Sequence, residues 1–452
     1  MFLFLPLVLI LHTAAPQRLK NPVLLVASLF FYAWGEPVYV ILMALSIAFN
    51  YVIGLQLEAR RKHRKRVTLV FGIIVNLMLI GVFKYYGFAV DTFNHLFGAS
   101  LSKRELALPI GISFYTFQAL SYLIDVYRAE TPAQRSIVDF ATYITMFPQL
   151  VAGPIVKYTD IEKKLKNRSV SLVSMGRGIE RLTFGLAKKV LLANNLGLLY
   201  TQIRSMPQRS VLTAWLGVIA YTLQIYFDFS GYSDMAIGMG KMLGFTFAEN
   251  FDHPYISKSI TEFWRRWHIS LSGWFRDYVY IPLGGSRVPP LKHIRNILVV
   301  WALTGLWHGA SWNFVLWGLY YGILLILEKY LFGDLLKRLP SAVSHAVTLF
   351  IVLIGWVIFS NTDFTAMCAY LGTLFGIGAC GFADTGFLYL LRSNILLVII
   401  AAVCCMPRLR QTFDRVNHSF RFCSAAAVVL LLIGSVAMLV YGTYNPFLYF
   451  RF

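Results

Sequence analysis

The chain has 452 residues, of which 58% are apolar, 16% aromatic and only 14% charged. Soluble domains run near 45–50% apolar and about 25% charged, so a soluble globular protein is excluded, as are disordered, collagen-like and disulfide-rich secreted chains. Lys and Arg number 41 against 21 Asp and Glu, a net charge of +20. Much of it lies in short runs between apolar stretches and reads as loop charge facing an anionic leaflet, not as a nucleic-acid surface.

At about 20 residues per crossing, the apolar content sets a ceiling of roughly 13 membrane-spanning helices. In chain order the apolar stretches fall at 2–14, 21–34, 37–56, 67–90, 107–124, 137–153, 173–200, 211–226, 232–247, 296–309, 311–331, 343–360, 364–383, 387–406 and 423–444. They exceed the ceiling, so some are re-entrant or interfacial. The first lacks a basic lead-in and a small-residue cleavage site, and reads as a retained first span. The densest basic cluster, Arg60, Arg61, Lys62, Arg64, Lys65 and Arg66, belongs in the cytoplasm, which puts the N-terminus outside. Basic residues on the same side bracket 137–153, so that stretch enters and leaves on one face or lies flat. Pro148, Gly153 and Pro154 suit such a broken segment. Asp228, Ser230, Tyr232, Ser233 and Asp234 form a polar group between 211–226 and 232–247; its carboxylates need partners, which arginines from the Trp-rich region described next would supply. The five cysteines (Cys368, Cys380, Cys404, Cys405, Cys423) show no paired spacing and read as small core residues. With no internal repeat and no long polar linker, residues 1–452 read as a single membrane domain.

Residues 248–318 depart from the rest. Six of the ten tryptophans lie between 264 and 312, and two Trp-His pairs, Trp267-His268 and Trp307-His308, stand 40 residues apart. On a helix, Trp264, Trp267, His268, Leu271 and Trp274 share one stripe while Arg265 and Arg266 turn away. His308 ends a long apolar run and precedes Gly309-Ala310-Ser311, small residues that allow close approach. An ionisable side chain deep in a bilayer is costly unless it faces a cavity. Desolvation favours neutral imidazole, the form that accepts a proton. A general base suits acyl transfer to an alcohol and contributes about 10²–10⁴-fold. The competing reading is a pair of interhelical hydrogen-bonding histidines or an interfacial Trp/His belt. Substrate-lining candidates are Trp264, Trp267, Trp274, Trp307, Arg276, Asp228 and Asp234, with no metal ligands. His12, His63, His95, His293, His345 and His418 read as solvated or interfacial, and His253 is intermediate. Gly238-Met239-Gly240-Lys241-Met242 fails as a phosphate loop, because Met235 replaces its first glycine and Met242 its hydroxyl residue. Neither H-E-x-x-H nor G-x-S-x-G occurs.

Several blocks in order make the chain resemble the membrane-bound O-acyltransferase family, in its bacterial alginate O-acetylase-like branch. They are Leu108 to Phe117, Pro148 to Pro154, Tyr226 to Asp234, Ser257 to Phe263, both Trp-His pairs and the terminal Phe450-Arg451-Phe452. The resemblance implies an all-α polytopic protein of about eleven transmembrane helices plus re-entrant or interfacial helices around a central catalytic pocket, in a bacterial inner membrane. It maps the family's catalytic histidine onto His308 and a second one onto His268. Their expected roles are general base for His308 and orientation or assisted proton transfer for His268. Indole walls formed by Trp264, Trp267, Trp274, Trp307 and Trp312 would keep water from the thioester. No bound cofactor is implied. Acetyl-CoA is the expected donor and hydroxyls of an extracytoplasmic polysaccharide the acceptor, with a separate periplasmic or surface-anchored SGNH-type acetyltransferase as partner. The alternatives are D-alanyl or other acyl transfer from a carrier protein, and a transporter or flippase of an acyl or glycan intermediate.

Overall fold

The computed structural model describes residues 3–59, 62–104, 106–151, 153–442 and 447–448. Arg60, Arg61 and the terminal Phe450-Arg451-Phe452 lie outside the described residues, as do the side chains of Lys62 and His418. All regular structure among the described residues is helical. Among the described residues, seven helices are long and apolar enough to cross a membrane: 39–59, 63–97, 211–242, 312–338, 341–360, 385–404 and 422–441. The expected eleven is not reached by this measure. Phe4–Ala14, expected as a first span, and Phe364–Leu374 have 11 residues each. At ~1.5 Å per residue, each covers about half of a ~30 Å hydrocarbon core.

The chain forms two compact units, residues 1–182 with 235–248, and residues 183–234 with 249–452. In the first, the helices are α1 (Phe4–Ala14), α2 (Lys20–Gly35), α3 (Tyr39–Ala59), α4 (Lys62–Ile80), α5 (Tyr86–Phe97), α6 (Ile112–Tyr127), α7 (Ile137–Thr145) and α8 (Tyr158–Lys166). Helix α6 is buried along nearly its whole length and packs on α3 and α4. The Ser136 hydroxyl accepts from the Asp139 N–H and caps α7, which stops at Thr145 and gives way to turns before Pro154. The broken character expected of 137–153 is present. His12 is buried, not solvated: its Nε2 lies 3.1 Å from Arg168 Nη2, and Arg168 Nη1 donates to Asn21 Oδ1 at 2.5 Å. A buried guanidinium needs such partners.

Helix α9 (Leu172–Ala187) has residues in both units and continues through a π-helical turn, Lys188–Ala193, into α10 (Asn194–Arg204). Helix α11 (Val211–Met242) is a single helix of 32 residues, so the expected division at Asp228–Asp234 is absent. Lysines of the π turn pair with these carboxylates: Lys189 Nζ is 2.5 Å from Asp228 Oδ1, and Lys188 Nζ is 2.7 Å from Asp234 Oδ2.

The second unit continues with α12 (Ile260–Arg266), α13 (Ile269–Phe275), α14 (Pro290–His308), α15 (Trp312–Leu327), α16 (Gly333–Arg338), α17 (Ser341–Ser360), α18 (Phe364–Leu374), α19 (Thr385–Cys404), α20 (Pro407–Ser419) and α21 (Arg421–Tyr441). Helices α14 and α15 meet backbone to backbone. A methyl group at Gly305 would strike the Phe314 carbonyl, and one at Gly318 would strike the Trp301 carbonyl. Small residues permit this approach, which brings the end of α14 against the middle of α15. Of the cysteines only Cys405 is buried; Cys368, Cys380 and Cys423 are exposed, so the core role expected for all five does not hold. Cys380 lies in a loop, and Cys368 and Cys423 occupy outward positions of α18 and α21.

Candidate active site

His308 is the last residue of α14, where extended Gly309 ends the helix. Its ring is wedged among aromatic rings, with centroids 5.0 Å from Trp307, 5.1 Å from Trp317 and 5.3 Å from Phe359, each nearly perpendicular to it. Edge-to-face packing of this kind holds a ring in a fixed orientation. Trp317 is fully buried.

His268 lies between α12 and α13, outside the seven candidate spans. The continuous stripe expected through 264–274 is broken here, because His268 adopts φ +45°, in the left-handed region. Asn250 accounts for the break. Its Oδ1 accepts the Ser270 N–H at 3.1 Å and the Ser270 hydroxyl at 2.9 Å, and lies 3.1 Å from His268 Nδ1. A backbone N–H can only donate, so Oδ1 is an acceptor and Nδ1 carries the proton it receives. Nε2 therefore holds the lone pair, and it has no hydrogen-bond partner among the described residues. The side chain is 2% exposed, and burial pushes its pKa down to about 3. At neutral pH it is an uncharged imidazole whose basic nitrogen is unsatisfied.

The two histidines line one cavity of about 240 Å³. Trp264, Trp267, Trp301, Arg265, Arg276 and Thr261 also line it. Its walls are stiff: Trp264 packs on Trp301 at 4.7 Å, Tyr321 at 4.8 Å and Trp317 at 5.4 Å. Trp307 contacts both imidazoles, 5.7 Å from His268 and 5.0 Å from His308 between centroids. The arrangement offers a neutral imidazole, that of His268, in an aromatic chamber edged by two arginines. A neutral imidazole can serve acyl transfer to an alcohol as a base.

Comparison with known proteins decides the family. A family-level match to MBOAT, membrane-bound O-acyltransferase family, covers residues 128–333. Probable alginate O-acetylase AlgI of Pseudomonas putida is 40% identical over 100% of this chain and 98% of its own length. The chain belongs to the membrane-bound O-acyltransferase family. Among other relatives of this acyltransferase, the peptidoglycan O-acetyltransferase of Helicobacter pylori is 31% identical over 100% of the chain and 96% of its own length. The teichoic acid D-alanyltransferase of Bacillus subtilis is 28% identical over 56% of the chain and 69% of its own length. It is a multi-pass membrane O-acyltransferase, which sets the transporter alternative aside.

Within this O-acyltransferase the residues singled out by sequence divide into groups. Trp264, Trp267, His268, Arg276 and His308 share the cavity. Arg265 also lines it, although a helical stripe turned it away, because the helix ends at the next residue, Arg266. Arg266 instead pairs with Glu262 and Asp252. Trp307 stands behind both histidines, and Trp274 is buried against Phe275 and Tyr278. Trp312 is 56% exposed at the start of α15 and is no wall of the chamber. Asp228 and Asp234 do not line the cavity either; Asp228 Oδ2 accepts the Leu448 N–H at 2.8 Å. His293, expected in solvent or at an interface, is 6% exposed, with Tyr280 and Tyr330 hydroxyls 2.8 and 2.7 Å from its nitrogens. Sequence reasoning missed Asn250 and Trp317, the first a lone amide before a loop, the second hidden in an apolar run.

Proposed function

We propose that this O-acyltransferase moves acetyl from acetyl-CoA on the cytoplasmic side of a bacterial inner membrane toward hydroxyls of an extracytoplasmic polysaccharide. The observation that carries the reading is the shared chamber of His268 and His308. Its volume of about 240 Å³ falls below the roughly 300–1,000 Å³ of sites for drug-sized ligands, which favours a short acyl group. The relatives that acetylate alginate and peptidoglycan support acetyl over longer chains.

In the proposed reaction His308 takes the hydroxyl proton as the oxygen attacks the thioester carbonyl. The new C–O bond forms, the C–S bond breaks, and the proton passes to sulfur, leaving ester and free thiol. His268, neutral and with Nε2 unoccupied, orients the acceptor hydroxyl or shares the proton. Indole walls slow hydrolysis of the thioester. Arg265 and Arg276 at the rim suit an anionic substrate group. A separate SGNH-type acetyltransferase on the far side would complete delivery to the polymer.

The test is reconstitution in sealed vesicles with labelled acetyl-CoA on one side and acceptor polysaccharide, with and without an SGNH-type partner, on the other. The reading expects label on the acceptor side, dependent on the protein. Labelled D-alanyl transfer from a carrier protein in place of acetyl would replace it with the D-alanyltransferase reading.

A further inference from the structure

One face of α15 carries the parts that set this chamber. Trp317 packs on His308, Tyr321 packs on Trp264, and Leu325 lines the cavity. Eleven residues after Trp317, on the same face at helical spacing, stands Glu328, the first residue of a π-helical turn, Glu328–Phe332. Such turns commonly mark functional positions. Its carboxylate reaches the start of α12: Oε2 accepts the Ile260 N–H at 2.7 Å and Oε1 accepts the Thr261 N–H at 3.2 Å. Both are first-turn N–H groups that have no partner within the helix. The Ser259 hydroxyl already serves the next one, that of Glu262, at 3.1 Å. A carboxylate at this end of a helix also meets the positive end of its dipole.

Helix α12 has only seven residues, too few to hold its own direction in isolation. Yet it carries Thr261, Trp264 and Arg265 on the chamber wall and leads directly into Trp267 and His268. Thr261 also lines a second hollow of about 580 Å³, which Glu328 lines as well. Glu328 thus grips the partition between the two hollows at its base.

We propose that Glu328 is a positioning residue for acyl transfer, acting through the first turn of α12 to set the placement of Trp264 and His268. The inference rests on the acetyl-transfer reading for its activity readout only. Displacement of a catalytic group by about 1 Å can cost on the order of 10²-fold in rate. A clamp that works only on placement changes turnover more than substrate affinity.

The experiment compares wild type with E328A, E328Q and E328D in detergent or vesicles. Each is measured by hydrogen exchange over residues 258–268 and by steady-state acetyl transfer. E328A and the shorter E328D should expose the amides of 260 and 261 to faster exchange and lower kcat at least tenfold, with KM within about twofold. E328Q, with one acceptor oxygen at the same reach, should recover most of the protection and come within about fivefold of wild-type kcat. If E328A does not fold, the E328D–E328Q contrast carries the test. Unchanged exchange in E328A or E328D overturns the clamp. Faster exchange with wild-type kcat overturns its role in positioning, as does a loss expressed wholly in KM. Exchange is read without any substrate, so a wild-type protein inactive toward acetyl-CoA would count against the acetyl-transfer reading alone.

Discussion

Asn250 fixes the proton of His268. A single amide oxygen, shared with the backbone and side chain of Ser270, accepts from Nδ1 at 3.1 Å and leaves Nε2 bare. The amide thus orients the imidazole without adding charge. Replacing it with alanine frees the ring to flip or to exchange tautomers, and also leaves the Ser270 N–H without its acceptor. We expect Asn250→Ala to lower kcat by about 10- to 100-fold, of the order found for outer-shell partners that orient histidines, while the protein remains folded.

The same pair predicts a pH response. Burial holds His268 near 3, against about 6.5 for a free imidazole. It therefore stays neutral at every practical pH, and wild-type kcat/KM owes no acidic limb to it. In Asn250→Asp a carboxylate replaces the amide against Nδ1 and favours the charged ring. The His268 value rises, so activity should now fall on acidification within the accessible range, and a pH profile of the two proteins shows whether it does. For folding the sign is also fixed. The unfolded chain binds a proton below about 6.5 before the folded one does, so stability declines as pH falls from about 6.5 toward 3. Thermal unfolding in detergent across pH 7 to 4 checks it against a His268→Asn protein, in which that part of the slope should vanish.

The α14–α15 contact allows no added bulk. Gly318→Ala places a methyl against the Trp301 carbonyl, and overpacking of this kind costs about 1–3 kcal/mol. Because His308 packs on Trp317 at 5.1 Å, separation of the helices also moves the proposed base. Lower melting temperature together with reduced turnover is the expected outcome. Gly434→Ala, where nothing lies within 4 Å of an added carbon, should leave both unchanged.

Asp228 supplies a structural prediction. It is 3% exposed, pairs with Lys189 and accepts the Leu448 N–H. Removing one member of a buried ion pair costs about 3–5 kcal/mol. Lys189→Met should therefore lower the melting temperature sharply, whereas the paired change Lys189→Met with Asp228→Leu should recover part of the loss. If Lys189→Met instead left stability intact and abolished acetyl transfer, the pair would belong to substrate binding.

Much of the site was legible because the signals were local. Two Trp-His pairs inside a polar interruption of an apolar chain mark the chamber, and the structure brings both histidines to it. What sequence could not show depended on partners distant in the chain. Helical spacing accommodates Trp264, His268 and Leu271 on one stripe, but Asn250, 18 residues before His268, breaks the helix there. A cluster of carboxylates in apolar sequence looked like the end of a span. Lysines 39 and 46 residues earlier satisfy it, so α11 runs on unbroken. His12 and His293 looked peripheral because they lie near helix ends, yet Arg168 and two tyrosines close over them. The span count suffers for a similar reason, since apolar composition does not reveal that α1 and α18 are helices of 11 residues.

In the proposed reaction the imidazole at 308, sharing its chamber with His268, removes the acceptor's proton. The most direct measurement is transfer of labelled acetyl from acetyl-CoA by purified, reconstituted His308→Ala, with hydrogen exchange confirming that α14 and α15 remain folded. A fall of at least 10²-fold in kcat, with donor binding retained, is the predicted result. Transfer at the wild-type rate by that protein would contradict the account.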